Sequence, residues 1–212
     1  MSDNTTLGNV LQTHHRFHIP NYQRDYAWGC DQFNDLWEDL KESVEIAKES
    51  SKPDGHFLGT IVIAPHGSNG SDNEHDLIDG QQRMTTIFML LTALIERSTE
   101  AEKDELKPQY LIKGGKLRFQ VIEANKKVFD SLLEKVGVSD SNEIDRIEAT
   151  TQGQKNLCDV FRAIVNKVGS LGENDIDTYI TTLLKMKMLV LKEIVLGRLS
   201  AHSKVSMTGV CS

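Results

Sequence analysis

HDLIDGQQRMTTIFMLLTALIE, residues 75–96, is the stretch that decides how this chain folds. A short apolar run, Asp76-Leu77-Ile78, meets a glycine at Gly80, and a helix with an apolar face (Met84, Ile87, Phe88, Leu91, Leu94, Ile95) begins at once. Such a strand–glycine–helix junction points unsatisfied backbone N–H groups and the positive end of a helix dipole at one spot. An anion is the natural occupant, most simply a phosphate. Asp79, Gln81, Gln82, Arg83, Thr85 and Thr86 crowd the turn with more polar groups than a plain helix cap needs. The junction therefore predicts a phosphate-binding site of nucleotide type.

Upstream, HFLGTIVIAP (56–65) is the clearest strand, rich in β-branched residues and ended by Pro65. The polar HGSNGSDNEH (66–75) reads as a hairpin loop between the two strands. RFHIPNYQRDYAW (16–28) begins as a strand and turns at Pro20-Asn21, and residues 1–15 read as frayed or as a short helix. Residues 31–49 form an amphipathic helix with Phe33, Leu36, Trp37, Leu40, Val44 and Ala47 on one face and Asp31 as N-cap, followed by a loop at 50–55. Downstream, LIKGGKLRFQVI offers two short strands around Gly114-Gly115. Helices are expected over 123–136, 141–168 and 173–195, and an irregular tail over 197–212. The pattern predicts an α/β (α+β) fold: a core over 1–120, a helical lobe over 121–196 packed on it, and the tail.

Composition narrows the function classes. With 212 residues, 39% of them apolar and 26% charged, the chain has the make-up of a globular protein that can bury one good core. A net charge of −7 argues against an autonomous DNA-binding domain, which would show a basic face. It leaves room for a local basic pocket. Cys30, Cys158 and Cys211 are far apart and odd in number, so neither a disulfide framework nor a zinc site follows, and a reducing cytoplasm is the simplest setting. The N-terminal MSDNTTLGNV has no signal-peptide character, and no apolar run is long enough to cross a bilayer.

Each polar cluster has a bland alternative. Asp79 could simply cap the helix, with Gly80 taking a positive φ and Arg83 solvated. The functional alternative uses glutamine amides to read a base or ribose, Arg83 to pair with phosphate oxygens, and a threonine hydroxyl to bind phosphate or a metal-bound water. The loop is not a Walker A motif, because GxxxxGK[ST] is absent. In IPNYQRDYAW (19–28), Arg24 is either half of a surface pair with Asp25 or a second cation near the phosphates. In the latter case Tyr22, Tyr26 or Trp28 supplies a wall. Gly59 inside a strand marks either a bulge or the close approach of another group. His56 could be a base or a phosphate ligand, or incidental. His14, His15, His18, His66 and His75 show no persuasive metal-ligand spacing.

IPNYQRDYAW, HFLGTIVI and DLIDGQQRMTTIFMLLTAL, in this order, resemble the N-terminal domain of GmrSD-type restriction endonucleases, modification-dependent systems that act in phage defence. KLRFQVIEANKKVFDSLLE and the helix around GQKNLCDVFRAI continue the likeness, which spans roughly 8–195. The resemblance implies a ParB/sulfiredoxin-like core whose DGQQR motif binds and hydrolyses a nucleoside triphosphate, coupled to restriction of foreign DNA. Asp79, Gly80, Gln81, Gln82 and Arg83 match that motif, and Gln23 and Arg24 match the upstream YQR element. Family members usually continue into an FxxxNxxG-like element and a His-Asn-His nuclease domain, which this sequence lacks. DNA cleavage by this polypeptide alone is therefore not expected. No cysteine sits beside the DGQQR turn, which argues against sulfiredoxin chemistry.

The leading expectation is a domain that binds a purine triphosphate with Mg²⁺ and hydrolyses it. Asp79, Gln82 and Arg83 are the catalytic candidates, and Asp79 is the metal ligand or orients the attacking water. Gln23, Arg24, Gly80, Gln81, Thr85 and Thr86 are the nucleotide-binding candidates. DNA, a nuclease subunit or a second copy of the chain are the expected partners, with no membrane. The rivals are a non-catalytic nucleotide-sensing or DNA- or partner-binding module, and a ParB-like DNA nickase.

Overall fold

The computed structural model describes residues 2–14, 16–49, 56–67, 73–135 and 142–193. His15, the loop at 50–55, the middle of the 66–75 hairpin loop and the tail at 197–212 lie outside the described residues. In chain order the elements are β1 (Ser2–Thr6), α1 (Leu7–Thr13), β2 (Arg16–His18), α2 (Cys30–Glu49), β3 (Phe57–Pro65), β4 (Glu74–Asp79) and α3 (Gln81–Glu96). There follow α4 (Glu100–Leu106), a π-helical turn (Lys107–Leu111), β5 (Ile112–Lys113), β6 (Lys116–Leu117), β7 (Phe119–Gln120) and α5 (Glu123–Glu134). The described chain closes with α6 (Asn142–Asp145), α7 (Gln152–Gly169), α8 (Glu173–Lys185) and β8 (Lys187–Lys192).

Six strands form one mixed sheet in the order β1-β8-β3-β4-β2-β7, and β5 and β6 form a small separate hairpin. β3 and β4 are antiparallel, β2 runs parallel to β4, and β8 runs parallel to β3 while pairing antiparallel with β1. The fold is thus mixed α/β, as expected. One core cluster joins the inward side chains of the sheet (Phe17, Ile61, Ile63, Leu77, Met188) to those of the helices.

Two expected helices are corrected. The span 173–195 is helical only to Lys185, and 187–192 is a strand in the middle of the sheet. The reason is visible in KMKMLVLK: Met186, Met188 and Val190 are buried at every second position, a period of two rather than 3.6. The span 141–168 breaks after α6, because Thr151 caps α7. Its hydroxyl accepts from the Gln154 N–H, and the Gln154 side chain reaches back to the cap backbone. α3 also departs from the amphipathic expectation. Every residue from Met84 to Ile95 is buried, because α4, α5, α7 and α8 surround the faces that the sheet leaves open.

The later helices dock on the first half through Asp25. Its Oδ1 accepts from the Tyr26 N–H (2.8 Å) and Asn125 Nδ2 (2.7 Å), and its Oδ2 accepts from the Thr151 hydroxyl (3.3 Å). The carboxylate sits directly over Gly153, where a Cβ would lie 2.0 Å from Oδ1. Gly153→Ala is therefore expected to displace Asp25 and cost about 1–3 kcal/mol, an overpacking penalty. Thermal denaturation checks it: an unchanged Tm would mean that Asp25 does not hold α7.

Candidate functional site

β4 ends at Asp79 and α3 starts two residues later, so Gly80 alone must turn the chain. It does so at φ +86°, in the left-handed region, where a Cβ would also lie 2.8 Å from Ile61 Cγ2 and 3.3 Å from the Thr60 carbonyl oxygen. No side chain caps α3; Asp79 does not fill that role. The first helical bond runs from the Met84 N–H to the Gly80 carbonyl (3.0 Å), so the N–H groups of Gln81, Gln82 and Arg83 precede the intrahelical ladder. The helix opens as a partial positive charge.

Arg83 leaves the first turn and lies against β3. A Cβ on Gly59 would be 2.6 Å from Arg83 Nη1 and 2.9 Å from Cζ, so the guanidinium rests on the bare Cα of that glycine. Gly59 has φ +105° and sits where the register with β8 shifts. The two options left open at this position are both realised, since the irregularity removes the side chain that would occupy the guanidinium's place.

Arg24 arrives on an irregular segment. The Gln23 N–H bonds the Pro20 carbonyl (3.0 Å), closing the turn expected at Pro20-Asn21. The chain then runs without regular structure as far as α2 and is held by side chains. Gln82 Oε1 accepts from the Ala27 N–H (2.7 Å) and the Trp28 N–H (3.3 Å), while its Nε2 donates to the Asp25 carbonyl (3.3 Å). Asn156 Nδ2 donates to the Tyr26 carbonyl (3.4 Å) and Gln23 Nε2 to the Ile78 carbonyl (3.1 Å). The Tyr26 and Thr86 hydroxyls share a buried bond of 2.6 Å, and burial pushes the phenol's pKa well up.

These three pieces enclose a cavity of about 340 Å³. Arg24 and Trp28 line one side, Thr60 another, and the run from Asp79 to Arg83 forms the floor. Among the described residues neither guanidinium has an ion-pair partner, and the Asp79 carboxylate has no hydrogen-bond partner. Two cations, an uncapped helix start and one free carboxylate thus face the same space. Its volume lies at the lower end of the range for small-molecule sites.

The candidate residues divide accordingly. Arg24, Asp79, Gly80, Gln81, Gln82 and Arg83 line the cavity, and Thr60, which no local pattern singles out, joins them. Gln82 is nevertheless engaged with the 25–28 backbone. Gln23 lies outside the lining, with its amide on β4. Thr85 and Thr86 are fully buried, and their hydroxyls donate back to the Gln81 (2.7 Å) and Gln82 (3.0 Å) carbonyls. Helical geometry puts these two residues, N5 and N6, one turn behind the helix opening, which a count along the sequence does not convey. Of the three aromatic candidates only Trp28 reaches the cavity; Tyr22 is exposed and Tyr26 is core. His56 contacts Asp39 (3.4 Å) and is not part of the lining.

Fold and site together define a mixed α/β domain with a cleft lined by two arginines at the start of its central helix. The model of the GmrSD restriction endonuclease N-terminal domain matches residues 7–205, and the chain belongs to that family. Membership points to a role in restriction and phage defence, systems that act on DNA. Comparison with curated proteins gives no match. No helix among the described residues is long and apolar enough to cross a membrane.

Gln82→Ala leaves the Ala27 and Trp28 N–H groups without their acceptor, at a cost of about 1–3 kcal/mol. A Tm several degrees below wild type is the expected result. A wild-type Tm would show that the 25–28 segment holds its path without the clasp.

Proposed function

We propose that the cleft binds the phosphates of a purine nucleoside triphosphate together with Mg²⁺ and hydrolyses the terminal phosphate, as the nucleotide-driven half of a DNA restriction system. The observation that carries this is the convergence of Arg24 and Arg83, both without a carboxylate partner among the described residues, on the uncapped start of α3. A single guanidinium is a common surface feature; two beside a helix N-terminus suit a polyanion. The backbone N–H groups after Gly80 would bind phosphate oxygens, and the arginines would neutralise the charge that develops during transfer. Trp28 offers a flat wall for a base or sugar.

The donor set fits Mg²⁺. Mg²⁺ in nucleotide sites takes one or two carboxylates and completes its shell with phosphate oxygens and water, and Asp79 supplies one such carboxylate. When bound, the ion supplies further neutralisation of phosphate charge. Asp79 holds its shell or orients the attacking water, and Gln82 acts by fixing the segment that carries Arg24. Cleavage of DNA falls to a nuclease working beside this domain, in keeping with the net charge of −7. A binding-only sensor is the second reading, favoured by a lining that, among the described residues, holds one carboxylate and no histidine.

Arg24→Ala and Arg83→Ala are each expected to weaken triphosphate binding roughly 10- to 100-fold, the worth of one charge-assisted contact. Equilibrium dialysis with labelled triphosphates measures this. Gly59→Ala should imitate Arg83→Ala, because the added methyl takes the guanidinium's place. Wild-type affinity in the Arg24→Ala/Arg83→Ala double variant would remove the cleft from nucleotide binding. Asp79→Asn should retain binding and lose phosphate release; a wild-type protein that binds and releases none in Mg²⁺ is a sensor.

A further inference from the structure

The far end of β4 carries a second cluster, unconnected with the cleft. Arg16 and His18 on β2, Glu74 and Asp76 on β4, and His66 just past β3 all emerge on one face of the sheet, opposite the core face that holds Phe17, His75 and Leu77. His18 Nε2 lies 2.9 Å from Glu74 Oε2, and His66 Nδ1 lies 2.6 Å from Asp76 Oδ1. The two imidazoles are stacked, with centroids 3.8 Å apart and planes 9° from parallel. One ligand atom each from His18, His66 and Glu74 falls within 4.8 Å of the others. Asp79 is five residues along the same strand, about 17 Å away at strand rise.

We propose that His18, His66 and Glu74 form a binding site for a divalent transition metal of the zinc class, with Asp76 positioning the His66 ring. Donor atoms around tetrahedral zinc lie about 3.3 Å apart, so closing this cluster on an ion needs shifts of an ångström or so. Three features suit capture. The Asp76 carboxylate on His66 Nδ1 leaves Nε2 as the ligand atom, the arrangement by which carboxylates orient metal-binding imidazoles. Arg16 holds the other Glu74 oxygen at 3.2 Å, so Oε2 is the one turned to the site. Burial, opposed by the Glu74 hydrogen bond, lowers the His18 pKa, which favours the uncharged ring that a metal ligand needs.

Histidines aside, Glu74 and Asp76 against Arg16 leave a net charge of −1 to attract a cation. Parallel rings cannot both aim in-plane lone pairs at one ion, so binding tilts the His66 ring, whose side chain is 42% exposed against 12% for His18. Two nitrogens and one carboxylate oxygen select Zn²⁺, Co²⁺ or Ni²⁺ over Mg²⁺, which prefers an all-oxygen shell. A bound ion would tie β2, β4 and the end of β3 together, leaving a fourth position for water.

The test uses the full chain stripped with a chelator, titrated with Zn²⁺ against a chromophoric competitor and with Co²⁺ by visible absorption. One equivalent is expected, with a rise in Tm and no displacement by millimolar Mg²⁺. His66→Ala and Glu74→Gln should each weaken Zn²⁺ at least tenfold, and Asp76→Asn should weaken it roughly 10- to 100-fold. Because the His66 ring is half exposed, its variant remains folded, and the metal-free Tm verifies this. Asp79→Asn should keep the bound zinc. No binding, Mg²⁺ displacement, or full affinity in His66→Ala/Glu74→Gln overturns the site, and none of these results bears on the nucleotide cleft.

Discussion

The amide of Gln82 is the group on which the arrangement of the cleft depends. It belongs to the first turn of α3, yet its hydrogen bonds go to the backbone of Asp25, Ala27 and Trp28, more than fifty residues earlier. A segment without regular structure has no ladder to satisfy its backbone groups, and a partly buried one needs side chains to do so. Gln82 meets that need from one side, and Asn125, Thr151 and Asn156 hold the same segment from the other. Arg24 stands immediately before this clamped stretch, so its approach to the start of α3 follows from packing rather than from any bond of its own.

The site then works by contrast with its surroundings. The chain as a whole carries −7, and its other arginines are largely engaged. Arg16 meets Glu74, Arg162 meets Asp145 and Asp159, and Arg118 is buried among main-chain carbonyls. Arg24 and Arg83 face a cavity instead. A cleft with low-dielectric walls can hold a local positive potential even on an acidic protein, because the field is set by the nearest charges. Gly59 and Gly80 make this possible by omission. One lets a guanidinium lie on the strand, and the other lets the strand become a helix without an intervening loop.

β4 organises the molecule around these features. Its C-terminal end delivers Asp79 to the cleft, its middle places Leu77 in the core, and its N-terminal end gathers Glu74 and Asp76 beside two histidines. Strand alternation separates the roles: even-numbered residues from Glu74 to Ile78 leave the core side to His75 and Leu77. The two polar ends are therefore chemically independent although they share one rigid element.

Much of this was legible in the residues themselves. The junction at Gly80, the strand expected over 56–65 and found at Phe57–Pro65, the helix expected over 31–49 and found at Cys30–Glu49, and the turn at Pro20-Asn21 follow from periodicity, β-branching and turn chemistry, which act over a few residues. That the DGQQR turn and Arg24 come together at one place was likewise legible. Tertiary structure alone decided the rest. It made Gln82 a clasp, set Thr85 and Thr86 one turn behind the opening, and brought His18, His66 and Glu74 together from β2, the end of β3 and β4. It also drew Met188 and Val190 into the sheet as β8, between β1 and β3. The physical reason is distance along the chain: local rules specify what a segment can become, whereas the partner of a buried amide or imidazole is fixed only when remote segments pack against it.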